Sequence, residues 1–119
     1  MNKNLDKFYT KPEIAKYCFD LLINTVSVVP EDIFLEPSAG CGNFLTCLKD
    51  YKFEAYDIEP EGEHIIKQDF LQLEPEYKNY IVIGNPPFGK RSKLAVDFVN
   101  HATTMAKVIG FIIPNTFLK

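Results

Sequence analysis

The stretch Ile33-Phe34-Leu35-Glu36-Pro37-Ser38-Ala39-Gly40-Cys41-Gly42 decides how the rest of the chain is read. Three apolar residues in a row, introduced by Pro30-Glu31-Asp32, predict a short buried strand. An acid stands at its end and a loop of small residues follows. Phe44, Leu45 and Leu48 then predict a short helix from Asn43 to Lys49. Strand, small-residue loop and helix together open an α/β unit.

Working outward, the same alternation continues. Upstream, Thr10-Lys11-Pro12-Glu13 predicts a helix start, with Thr10 as cap, Glu13 reaching back in a capping box and proline in the first turn. Ile14, Tyr17, Cys18, Leu21 and Leu22 then mark one apolar helix face running to about Asn24. Downstream, strands are predicted at Lys52 to Ile58, Ile65-Ile66, Tyr80 to Gly84, and Val108 to Ile113, the last closed by Pro114. Ala95, Phe98, Val99 and Ala102 give a helix face between about Ser92 and Met105. The order predicts one α/β domain with a mostly parallel sheet of five strands, covered on both faces. The residues between Ile58 and Ile65 are fewer than the dozen or so that a parallel crossover usually takes. The third strand is therefore either vestigial or reached through an irregular loop.

Composition bounds the rest. The 119 residues fit a single domain, and an apolar fraction of 46% with 24% charged residues is that of an ordinary globular chain. No apolar run approaches the ~18 residues of a membrane span, and the polar start Met1-Asn2-Lys3-Asn4 is not that of a signal segment. The chain reads as cytoplasmic. Three cysteines, Cys18, Cys41 and Cys47, are odd in number and form no CxxC pair, and His64 and His101 stand far from them, so no metal site is expected. The net charge of −3 gives no general support for a nucleic-acid binder, although Lys90, Arg91 and Lys93 form a local basic cluster.

In a parallel sheet ligands bind outside the carboxyl ends of the strands, so the residues that follow each strand carry the functional reading. After the first, Gly40-x-Gly42 lets backbone approach a ligand, though a tight turn explains that spacing equally well. Glu36 beside this loop would repel a pyrophosphate and accept an ammonium group. After the second, Asp57 can accept from two ribose hydroxyls and Ile58 can cover a base, or Asp57 is a turn former. After the third, Asp69 can accept from an exocyclic amine and Phe70 can stack on a purine, or Phe70 is a core residue. After the fourth comes Asn85-Pro86-Pro87-Phe88. The prolines carry no N–H, so their loop offers rigidly aimed carbonyls, and the Asn85 amide oxygen adds a further acceptor. Two acceptors suit a planar NH₂ group, and Phe88 supplies a plate for a flat ring.

Taken in order, these residues resemble the S-adenosyl-L-methionine-dependent amino-methyltransferases, particularly the DNA adenine-N6 type. Asp6-Lys7-Phe8-Tyr9-Thr10-Lys11-Pro12 is similar to the family's N-terminal element that closes over the cofactor. Leu35 to Gly42 is similar to its cofactor loop, and Asn85-Pro86-Pro87-Phe88 to its catalytic tetrapeptide. Phe111 to Asn115 resembles the strand beyond it. The resemblance implies a Rossmann-like class I methyltransferase sheet, with about five of the usual seven strands present and the domain incomplete at its C-terminus. It implies S-adenosyl-L-methionine as cofactor, held by Tyr9, Thr10, Glu36, Pro37, Ser38, Ala39, Gly40, Gly42, Asp57, Ile58, Asp69 and Phe70. Asn85, Pro86, Pro87 and Phe88 are implied as catalytic. The implied activity is methylation of adenine in DNA, as in restriction-modification, with the basic cluster near phosphates. RNA adenine or protein glutamine methylation, and a cofactor-binding fragment without catalysis, remain open. An uncovered edge at the fifth strand implies possible self-association.

Overall fold

The structure is a computed structural model, and it describes residues 10–74 and 79–113. The expected elements Tyr9 and Pro114-Asn115 lie outside the described residues. The chain forms helix α1 (Pro12–Thr25), strands β1 (Ile33–Glu36), β2 (Lys52–Asp57), β3 (Ile66–Lys67) and β4 (Tyr80–Gly84), helix α2 (Lys93–Ala102) and strand β5 (Ala106–Phe111). The five strands make one sheet in the order β3-β2-β1-β4-β5, with every pairing parallel. This is a Rossmann-like α/β arrangement, as the alternation of elements predicts.

Alternation along the central strands sorts side chains to the two faces. Phe34, Ile81 and Ile83 pack under α1 with Ala15, Phe19, Phe44 and Leu48. Leu35, Tyr80 and Val82 pack on the opposite face with Phe70, Phe98, Ala102 and Met105, where α2 lies. Burial on both faces is why β4 reads as a continuous apolar run rather than an alternating one.

Several local expectations are corrected. The α1 face turned to the sheet carries Ala15, Cys18, Phe19 and Leu22, whereas Ile14, Tyr17 and Leu21 are 46%, 67% and 57% exposed. The helix carries two adjacent apolar stripes. The one with a small residue for close approach and a large aromatic to fill the gap faces the core. The cap falls on Lys11 and not on Thr10, because a residue before proline is held extended, and no side chain caps this end. The helix expected from Asn43 to Lys49 is a single 3₁₀ turn, Leu45–Leu48. The third strand is Ile66–Lys67, one residue later than expected, and β5 begins at Ala106 and ends at Phe111. Its parallel crossover is an irregular loop, and two residue pairs, Tyr56↔Ile66 and Asp57↔Lys67, are all that join β3 to β2.

Candidate functional site

The strand order explains where a site forms. The chain builds outward from β1 through β2 to β3, then crosses back to the other side of β1 with β4 and β5. Connections therefore diverge between the carboxyl ends of β1 and β4, which opens a crevice there. Glu36 ends β1, and Gly84 ends β4 just before Asn85. A solvent-open cleft occupies this position. Thr10, Glu36, Ser38, Ala39, Gly40, Asn43 and Asn85 are among the residues that line it.

Hydrogen bonds lock the walls together. The Ser38 hydroxyl donates to the Asn85 carbonyl oxygen at 3.1 Å, which ties the β1 loop to the β4 loop. The Asn85 side chain donates through Nδ2 to Thr10 Oγ1 at 3.1 Å, and Asn43 Nδ2 donates to the Thr10 carbonyl at 2.5 Å. Thr10 thus joins both loops, in place of the capping role expected of it. Gly40 and Gly42 turn the loop with φ of 58° and 93°.

Glu36 is the dominant electrostatic feature. It is 1% exposed, and its Oε2 accepts from the Ser38 amide at 3.0 Å. Burial pushes its carboxyl up to about 8, and the negative Asp57 adds to the rise, while the Ser38 amide opposes it. Among the described residues no lysine or arginine lines the cleft. A phosphate is therefore poorly matched to this site. A cation with several N–H donors is well matched, since it would restore the charged form of Glu36.

Asp57 is also buried. Its Oδ2 accepts from the Gly40 amide and its Oδ1 from the Glu59 amide, both at 2.8 Å. Each oxygen keeps a second lone pair for a ligand hydroxyl. Ile58 stands beside it, 59% exposed. Pro37 and Pro86 are fully buried, and Pro87 and Phe88 are half-buried. The Phe88 carbonyl accepts from the Leu94 and Ala95 amides at 3.0 and 3.3 Å, so the first turn of α2 fixes the loop after Asn85.

Of the expected site residues, Pro37, Gly42, Asp57, Ile58, Asp69, Phe70, Pro86, Pro87 and Phe88 are not among those that line this cleft, and Asp69 and Phe70 are engaged elsewhere. Asp69 is exposed, and its carboxylate caps the short turn that follows by accepting from the Leu71 amide at 3.0 Å. Phe70 is a core residue, 1% exposed, with its ring 5.1 Å from Phe98 and 4.9 Å from His101. Its side chain is not an open stacking plate, which corrects that expectation. Cys41, Asn43 and Phe44, which line the cleft, and Gly84, which shapes it, are missed by the sequence reading. Asn43 offered no signal beyond its place after Gly42. Gly84 did offer one, as a glycine closing an otherwise apolar strand just before Asn85.

Fold and cleft together define a parallel α/β protein with an acidic cleft at its topological switch point. Compared with models of known protein families, the sequence matches none.

Proposed function

We propose that this chain binds S-adenosyl-L-methionine in the β1–β4 crevice and methylates the exocyclic amine of adenine in DNA. The single observation that carries the reading is the meeting of Glu36 and Asn85 in one cleft, from strands whose sequence motifs are each similar to those of amino-methyltransferases. The residues present fit the cofactor's chemistry. Buried Glu36 suits the methionine ammonium, and Asp57 retains acceptor capacity for ribose hydroxyls. Exposed Ile58 can cover a base.

When bound, the cofactor supplies an electrophilic methyl group on a sulfonium. The chain's own residues bind and orient the target. The adenine amine is a weak nucleophile because its lone pair is delocalised into the ring. Asn85 Oδ1 and the Pro86 carbonyl would accept its two N–H groups and favour a tetrahedral nitrogen. The same acceptors would stabilise positive charge developing there, a contribution made mainly in the transition state. Phe88 would hold the flat ring once the base has left the stack. Lys90 and Arg91 are exposed just beyond, in reach of a phosphate backbone, whereas Lys93 is engaged with Asp97 at 3.1 Å.

The test is labelled-methyl transfer to unmethylated duplex DNA, with RNA and protein as parallel acceptors, for the native chain and Asn85→Ala. The reading expects transfer to DNA that Asn85→Ala abolishes, with cofactor affinity retained within about twofold. Equal loss of rate and affinity would show that Asn85 belongs to the cofactor site. Transfer to RNA or protein alone would reassign the substrate.

A further inference from the structure

Gly84 is the last residue of β4, and its backbone is pinned. It pairs with Phe111, and its carbonyl accepts from the Ile112 amide at 2.9 Å. A Cβ placed on Gly84 would lie 2.2 Å from Glu36 Oε2, 2.7 Å from Cδ and 2.9 Å from Oε1. All three atoms of the carboxylate therefore rest where any other residue would put its first carbon. The Glu36 backbone is paired to Ala55 and its Oε2 is held by the Ser38 amide, so the carboxylate is fixed against Gly84 from its own strand and from the loop that follows. Among the described residues, Asp57 at the end of β2 adds a like charge near this carboxylate, and Cys41 lines the same cleft.

We propose that Gly84 is a specificity-determining residue: lacking a side chain, it seats the Glu36 carboxylate in the crevice and makes the site select ligands that carry an ammonium group. This deepens the function proposed above and rests on it. Gly84 touches no ligand in this scheme. It acts through Glu36, and is a positioning residue.

A second cause has to be separated. Gly84 has φ +148°, a conformation that side-chain-bearing residues rarely adopt, so Gly84→Ala is also strained through its backbone. Removing the Glu36 side chain relieves the collision and leaves the backbone strain in place. The experiment compares the native chain with Gly84→Ala, Glu36→Ala and the double variant, by thermal melting and by calorimetric binding of S-adenosylhomocysteine and of 5′-methylthioadenosine, which lacks the amino-acid end. Gly84→Ala should lower the melting temperature, and adding Glu36→Ala should restore most of the loss. The native chain should prefer S-adenosylhomocysteine by at least about tenfold, the range of a charge-assisted hydrogen bond. In Gly84→Ala that preference should vanish while 5′-methylthioadenosine binds within about twofold of native. Retained preference in Gly84→Ala, or a melting loss unchanged in the double variant, would overturn the proposal. A native chain that melts cooperatively yet binds neither compound would overturn the cofactor reading, and the melting series would still report whether Gly84 seats Glu36.

Discussion

Replacing Glu36 with glutamine should flatten the dependence of stability on pH. In the folded chain the Glu36 carboxyl is raised from 4.5 to about 8, chiefly by burial. Its folded form therefore keeps a proton that the unfolded form has released between those values. Stability contributed by this proton is fully present below pH 4.5 and is lost as pH rises through 8. Each pH unit in that window shifts the folding equilibrium about tenfold, and the whole window is worth on the order of 5 kcal/mol. That is comparable with the ~5–15 kcal/mol that holds a small domain together. Urea denaturation followed by circular dichroism between pH 4 and 9 reads this directly. With an m-value of ~1–3 kcal/mol/M, the native midpoint should fall by roughly 0.5–1.4 M per pH unit across the window. Glu36→Gln keeps the shape and the acceptor for the Ser38 amide but cannot ionise, so its midpoint should stay nearly constant. Parallel curves for the two proteins would refute the argument, because they would mean that Glu36 ionises freely in the folded state.

Asp32 should produce the opposite trend in acid. Its carboxyl is lowered from 3.8 by its hydrogen bond to Lys107, 2.5 Å away, and by the Val29 amide, so its stabilisation holds above 3.8 and fades as pH falls through its folded value. Asp32→Asn should remove that acid limb in the same urea titration, and an unchanged limb would show that other groups cause it. Among the described residues no strand pairs with the outer side of β5, whose residues are apolar apart from Lys107. Its edge should therefore recruit a second copy, and light scattering across a concentration series should show mass rising with concentration; a constant monomer mass would contradict this.

The layout of the sheet was legible because its strands are buried on both faces. Ile33 to Leu35 and Ile81 to Ile83 are apolar without interruption, and turn residues bracket them. The ends of β1 and β4 were legible for the same reason, since a strand's end places the next few residues at one edge of the sheet. The choice between two apolar stripes on α1 was not legible, because periodicity gives the spacing of a face and not which face the sheet takes. Thr10 satisfies every local rule for a helix cap, yet a partner distant in sequence, Asn85, takes its hydroxyl. Phe70 follows an acid at a strand end just as Phe88 follows the prolines. Only packing against Phe98 separates the core ring from the half-buried one that follows the prolines.

The ties across the cleft also bear on the order in which the protein acquires its site. Ser38 and Asn85 are 47 residues apart in sequence, and Thr10 and Asn85 are 75 apart. Contacts of such span close large loops, and these are formed slowly compared with local structure. Pairing of β4 with β1 brings Gly84 against the Glu36 carboxylate and Asn85 into the same cleft, and so completes the burial that raises the carboxylate's proton affinity. Folding and proton uptake are then one late event, and a refolding reaction begun near neutral pH should draw protons from the solvent at the step that creates the cleft.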